Sequence, residues 1–329
     1  MVDNRVVTMR RLGLGVLAAL VLAALGLNVV AYRHARAMTR LSARGERTPR
    51  PEALSVRQKL RVLATGATLP RPTNERTPAD LALEFVSQRF RTADGLELEA
   101  WFVPRSEARG TILLFHGYAD RKASLLDAAL AFQELGYASL LVDFRGSGGS
   151  QGDATSIGYH EAEDVRAALA HARNRNHARP FVLFGASMGA AAVLRAVAQL
   201  HVVPDVLVLQ YPFSKMSLTV ARRFEAMGLP TFPAAPVLVF WGGWQQGFNG
   251  FRHNPLDYAR AVRIPTLLMQ GDRDDRVSMA EARAIYEKLA GRKRLEIFSG
   301  VGHQSLVQAQ PAQWRRAVAE FVEPRTPRR

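Results

Sequence analysis

The chain has 329 residues, enough for one large core with appendages, and a 48% hydrophobic content that excludes wholesale disorder. It has no cysteine, which excludes disulfide staples, thiol nucleophiles and thiolate metal sites together. The net charge of +15 sits mostly in residues 1–80, with 14 Lys/Arg against 5 Asp/Glu, and in Arg325, Arg328 and Arg329; the body between is close to neutral, so no nucleic-acid partner is expected.

Leu12–Tyr32 is a run of 21 residues without a formal charge. At roughly 1.5 Å per helical residue it spans about 30 Å, the hydrocarbon thickness of a bilayer. Arg10 and Arg11 precede it, Arg33 and Arg36 follow it, and Tyr32 sits where an interfacial aromatic belongs. A cleaved signal peptide is the alternative, with Ala35-Arg36-Ala37 as a passable site, but the apolar region of such peptides runs only ~7–15 residues. Residues 1–36 are therefore expected to be an uncleaved, single-pass membrane anchor. Met9-Arg10-Arg11-Leu12 resembles a twin-arginine signal without its usual continuation. Arg33, Arg36, Arg40, Arg44, Arg47 and Arg50 would hold the body on the cytoplasmic side, whereas a short basic N-terminus sends it outward. The two arguments oppose each other, so no side is assigned.

Residues 37–80 are rich in Arg, Pro and Thr, and Pro49, Pro51, Pro70, Pro72 and Pro78 interrupt any long helix. Only Ala53–Leu63 is read as a possible short helix. The stretch is expected to be a linker or a strap along the body.

The main domain is expected over residues 81–325. It opens with two strand-like runs, Leu83–Phe90 and Leu96–Val103, joined at Asp94-Gly95, a hairpin signal. Short apolar runs follow at Thr111–Phe115, Ser139–Phe144, Phe181–Phe184, Val206–Gln210, Thr266–Gln270 and Arg294–Phe298. Helix-period stretches alternate with them at Ser124–Leu135, His160–Arg173, Met188–Leu200, Met279–Leu289 and Ala312–Phe321. Near-continuous hydrophobic strands alternating with helices predict an α/β fold, a mostly parallel sheet covered on both faces. Such sheets react at the carboxyl ends of their strands.

Three strand ends carry chemistry. Gly185-Ala186-Ser187-Met188-Gly189 runs from a buried strand into a small-residue helix start, the G-x-S-x-G elbow that exposes a nucleophilic serine. The turn is so tight that side chains at either flank would collide, and the following helix aims its first amides at Ser187. Of the histidines after it, His201 ends that helix and reads as a surface or capping residue. His253 sits in an insertion with no strand end to hold it. His303, on the glycine loop after Arg294–Phe298, is the expected general base, since neutral imidazole can take the serine proton and return it. Three aspartates compete to orient it after Thr266–Gln270. In Gly271-x-x-Asp274-x-x-Val277 the aspartate three after the glycine turns toward the site, which selects Asp274; Asp272 and Asp275 read as loop residues, paired with Arg273 or Arg276. At the end of Thr111–Phe115, Gly117 permits close backbone approach, so the Tyr118 N–H is expected to join the Met188 N–H as an oxyanion hole. His116 reads as a brace for that loop.

With these motifs assembled, the body resembles the α/β-hydrolase superfamily, and within it the serine-aminopeptidase-like and monoglyceride-lipase-like group. The resemblance covers about Leu83 to Phe321 and rests on His116-Gly117-Tyr118, Asp143-x-Arg145-Gly146-x-Gly148-x-Ser150, the elbow, Gly271-x-x-Asp274 and Gly302-His303. It implies a lid in the long connection, about residues 212–262, rich in Phe, Trp and Met. Within it Pro233–Trp241 is too short to span a bilayer but could dip into one beside the anchor. The expected activity is hydrolysis of a carboxylic ester, small or lipid-like, through an acyl-enzyme and without metal or cofactor. A serine exopeptidase or amidase uses the same triad, and a non-catalytic membrane-tethered binding protein is the distant alternative.

Overall fold

The computed structural model describes residues 2–43, 45–49 and 53–322, so Arg44, Arg50, Pro51 and the basic C-terminal tail fall outside the described residues. Helix α1, Val2–Thr39, contains the whole uncharged run and extends one turn and more beyond it at both ends. Helix α2, Val56–Thr65, starts slightly later than the sequence suggested. Ser55 caps it, accepting from the Gln58 N–H while the Gln58 side chain accepts from the Ser55 N–H, a reciprocal box that fixes the helix start.

The body is one eight-stranded sheet of β1 (Val86–Arg91), β2 (Glu97–Val103), β3 (Thr111–Phe115), β4 (Ala138–Val142), β5 (Phe181–Ala186), β6 (Val206–Gln210), β7 (Thr266–Gly271) and β8 (Lys293–Phe298). Their order is β1-β2-β4-β3-β5-β6-β7-β8. The pairs β1–β2 and β2–β4 are antiparallel and the others parallel. Strands β3, β4 and β6 are buried at every residue, which is why they read as unbroken hydrophobic runs rather than alternating ones.

The helices are α3 (Leu126–Glu134), α4 (Glu161–Asn174), α5 (Met188–Leu200), α6 (Met216–Ala226), α7 (Ala234–Gln245), α8 (Pro255–Tyr258), α9 (Met279–Lys288), α10 (Leu306–Ala309) and α11 (Pro311–Val322). Alternation along the strands divides the core in two. Leu113 and Phe115 face α4, α5 and α9 in one cluster, and Ile112 and Leu114 face α3 and α11 in the other. Trp314 of α11 is fully buried against Phe132 of α3, ring centroids 5.0 Å apart and edge to face; losing such a side chain costs about 3–5 kcal/mol.

Helices α6 and α7 fill the connection between β6 and β7. They enclose a third cluster, in which Phe213, Met216, Val220, Ala235, Leu238 and Val239 pack on Ala191 of α5 and Ala35 of α1. The end of the long N-terminal helix thus belongs to the same core as the insertion.

Candidate active site

Five expected residues lie at the carboxyl ends of the strands. Ser187 follows β5 with φ 53° and ψ −112°, a left-handed conformation that a non-glycine residue holds only under strain. Its N–H donates to the Gln210 carbonyl at the end of β6, 2.8 Å away. The flanking glycines are demanded by contact. A Cβ on Gly185 would stand 2.7 Å from the Ala190 nitrogen, and one on Gly189 only 2.3 Å from the Phe115 carbonyl oxygen. The elbow therefore packs directly on the end of β3. Met188 opens α5, and a first-turn N–H has no carbonyl four residues back to accept it.

On the β3 side, a Cβ on Gly117 would lie 3.7 Å from the Ser187 Cβ, so that backbone faces the serine. His116 does brace the loop. Its Nδ1 donates to the Gly117 carbonyl at 2.8 Å and its Nε2 accepts from the Phe144 N–H at 3.1 Å, which fixes one tautomer. Asp143 is buried nearby and accepts from the Lys122 and Gly149 N–H groups at 2.8 and 3.0 Å. Burial alone would raise its carboxyl, but the Lys122 charge and the Lys122 hydrogen bonds outweigh that and hold it below the ordinary carboxylate range.

Across the sheet, His303 Nδ1 donates to Asp274 Oδ2 at 2.8 Å. Asp274 also accepts the N–H groups of Arg276 and Val277 on Oδ1, at 2.8 and 2.9 Å, and the Gln270 amide on Oδ2 at 3.2 Å. Burial pushes this carboxyl up, yet the hydrogen bond from His303 and the two backbone donors together hold it down. Val277 packs into the third cluster. The expected pairing of Asp272 and Asp275 with Arg273 or Arg276 is corrected at Asp272. Its carboxylate accepts from Ser299 Oγ at 3.0 Å and the Gly300 N–H at 2.7 Å, and so ties the β7 loop to the loop that carries His303.

Tyr211, directly after β6, was not singled out from the sequence. Its ring lies 4.8 Å from the His303 ring and its hydroxyl donates to the Gln304 carbonyl at 2.5 Å. Burial and the Asp274 charge push the phenol upward, so it stays a neutral donor. It stands one residue past Gln210, a strand end that faces the elbow, and no spacing marks it in the sequence. Of the rejected histidines, His201 is an exposed helix cap with φ 54°. His253 is fully buried, its Nε2 donating to the Ile157 carbonyl at 3.0 Å. Among the described residues no group of three His, Asp or Glu converges as metal ligands.

The strap lies against this site. Tyr118 donates its hydroxyl to the Met38 carbonyl at the end of α1, 2.6 Å away, and Arg47 donates to the Ala119 carbonyl at 3.3 Å. Leu41 and Leu69 pack on Ala119 and Tyr118. Arg71 reaches the Gly148, Ser150 and Gly152 carbonyls, and Asn74 donates to Asp143 at 2.8 Å. An apolar cavity of about 50 Å³ lies between α1, α6 and α7, walled by Ala35, Met38, Val220, Leu238 and Val239 with Ile157 opposite.

The family model described as serine aminopeptidase, S33, matches residues 106–239, a span that includes the elbow and ends before Asp274 and His303. An uncharacterized Bacillus subtilis protein, YqkD, is 27% identical over 70% of this chain and 77% of its own. A monoacylglycerol lipase of Mycolicibacterium smegmatis is 24% identical over 63% of this chain and 85% of its own. The solved structure of the Pyrococcus furiosus esterase Pf2001 superposes with a TM-score of 0.65 at 25% identity, covering 77% of this chain and 96% of that one.

Proposed function

The chain belongs to the α/β-hydrolase superfamily, and from that membership we propose that it is a membrane-anchored serine hydrolase that cleaves carboxylic esters. The observation that carries the reading is the His303 Nδ1 to Asp274 bond at 2.8 Å, at the strand ends where Ser187 stands strained against Gly117. With its Nδ1 proton committed to Asp274, the imidazole keeps its other nitrogen as an acceptor. Ser187 attacks the ester carbonyl as His303 takes its proton. The N–H groups of Tyr118 and Met188 bind the oxyanion, and the alcohol leaves with the proton from His303. Water then repeats the sequence on the acyl-enzyme. A removed oxyanion donor typically costs about 10²–10³ in turnover.

Esters are favoured over peptides because the similar proteins include an esterase and a monoacylglycerol lipase. Residues 1–36 serve as the anchor, 37–80 as the strap and 81–325 as the catalytic domain, with the cap over about 212–262. Retention of the anchor is supported by packing. Ala35 is only 2% exposed and packs in the third cluster, so cleavage behind Ala37 would remove part of that cluster's wall.

The test is a fluorophosphonate probe on the full-length protein, then a panel of nitrophenyl esters against aminoacyl anilides. One probe per chain, absent in Ser187→Ala, is expected, with esters turned over faster. Labelling that survives in Ser187→Ala sinks the nucleophile, and faster anilide turnover sinks the ester reading alone.

A further inference from the structure

The cap helix α7 carries no charged residue from Ala234 to Gln245 and is apolar on nearly all sides. One side packs on the third cluster through Ala235, Leu238 and Val239. The opposite side leaves Phe240 50% and Trp244 63% exposed, and Phe232 just before the helix is 78% exposed. A water-facing lid has no physical reason to present such a group, and a contiguous apolar patch marks a surface that something covers.

What covers it follows from the contact between α7 and α1. Asn28 is a polar residue inside the uncharged run. Its amide donates to the Ala24 carbonyl at 2.9 Å, and its Oδ1 accepts from Trp241 Nε1 at 3.1 Å. One turn on, the Gln245 amide donates to the Tyr32 carbonyl at 2.8 Å. Both bonds have the same sequence offset, so the Trp241–Gln245 turn runs in the same direction as the Asn28–Tyr32 turn. The Tyr32 and Trp241 rings meet edge to face at 5.2 Å. Asn28 is four residues before Tyr32, about 6 Å deeper along the helix. Arg33 and Arg36, both exposed, mark the headgroup level just beyond. Any bilayer that covers α1 up to Tyr32 therefore also meets α7, because α7 sits beside α1 at that depth.

We infer that α7 is immersed in the bilayer interface beside α1, with Phe240 and Trp244 facing lipid. The occupant of the apolar face is thus the lipid bilayer itself, continuous with the lipid around α1. This rests on the proposal that α1 spans a membrane. The cap then does not float above the surface. It is fixed at the acyl–headgroup boundary, and the apolar cavity between α1 and α7 lies directly behind the immersed face. Trp241 supplies a partner that a polar Asn28 needs in an apolar medium.

The chain has no cysteine, so single cysteines can be labelled with an environment-sensitive nitrobenzoxadiazole probe in the full-length protein. Three exposed positions separate the possibilities: Leu17→Cys in mid-span of α1, Phe240→Cys on α7, and Val203→Cys before β6, at the far end of the sheet. Each is reconstituted in phosphatidylcholine–phosphatidylglycerol vesicles with and without brominated acyl chains. The expected result is loss of most fluorescence from the Leu17 and Phe240 probes in brominated vesicles, and none from Val203. Quenching at Leu17 without quenching at Phe240 overturns the immersion of α7 while leaving the anchor intact. Absence of quenching at Leu17 overturns the anchor. A Phe240 probe shielded from aqueous iodide but untouched by brominated lipid means that a second copy or another protein covers the face, and this also overturns the inference.

Discussion

Asp274 and Asp272 stand two residues apart on the same loop, and their bonds separate their roles. Asp274 receives His303 and two backbone N–H groups, whereas Asp272 staples Ser299 and Gly300. Asp274→Asn is expected to lower kcat by about four orders of magnitude, because an amide donor at Oδ2 would hold the wrong imidazole tautomer. Asp272→Asn keeps an acceptor for Gly300 and should cost less than about tenfold, since it touches nothing that reacts. Steady-state turnover of a short nitrophenyl ester decides both, and a dead Asp272→Asn would reverse the assignment. The pH dependence of stability gives a second check. The Asp274 carboxyl is held below its ordinary value in the folded chain, so its stabilisation is complete above an unfolded pKa of about 4 and is lost as pH falls through the lower folded value. The melting-temperature gap between the wild type and Asp274→Asn should narrow in that acid range. The strand-end placement of Ser187, Asp274 and His303 was legible in the sequence, because each lies at a strand end close to a glycine. Tyr211 was not, since an aromatic after a strand has no distinguishing spacing.

The elements that position the site were only partly legible. Strands β3 and β6 and helix α5 fall where the hydrophobic runs placed them. The helices of the insertion were left unassigned because α7 is apolar on nearly all sides and shows no helical stripe. The strap was legible as irregular chain but not as a brace, because its contacts are scattered single hydrogen bonds and small apolar contacts with no periodic pattern. Tyr118→Phe tests that brace. It keeps the backbone N–H but removes the bond to Met38, so a loss of about 1 kcal/mol in stability and a fall in kcat of less than about tenfold are expected, with KM unchanged. Chemical denaturation and steady-state kinetics read the two effects, and an unaltered kcat would remove the strap from the oxyanion loop's support. The insertion is tied to the body through His253, whose imidazole burial pushes down to about 4. Because the folded state resists the proton that the unfolded chain accepts near ~6.5, stability is full above that pH and declines as pH falls toward 4, by on the order of 1 kcal/mol per pH unit. His177 is also pushed down to about 4 by burial. His253→Gln should therefore flatten part of the acid decline in urea-unfolding free energy and leave the share due to His177.

At the scale of the whole molecule, the N-terminal 80 residues do two separable things. The free part of α1, through Leu27, exposes Leu12, Leu17, Leu20 and Leu22 and makes its strongest case as lipid-facing chain. Asn28, Met38, Arg47, Arg71 and Asn74 tie the segments that carry them to the body, through Trp241, Tyr118, Ala119, the Gly148–Gly152 turn and Asp143. Two truncations distinguish these contributions. A chain beginning at Leu27 loses most of the span but keeps the Asn28, Tyr32 and Ala35 contacts with the cap and the Met38 contact with Tyr118, so its rate on a soluble short-chain ester should stay within about twofold of wild type. On a long-chain monoester held in vesicles its rate should fall at least tenfold, because the tether no longer confines the site near a substrate dissolved in the bilayer. A chain beginning at Leu81 loses the brace as well, so its short-ester rate should fall too, in step with the Tyr118→Phe effect and further. Its third cluster also loses Ala35 and should melt lower. Parallel assays of the two truncations on both substrates read the difference directly. If the Leu27 chain loses both rates equally, the span supports the fold rather than substrate delivery. If the Leu81 chain keeps its short-ester rate, the contacts of the strap with Tyr118 and Ala119 do not shape the oxyanion loop.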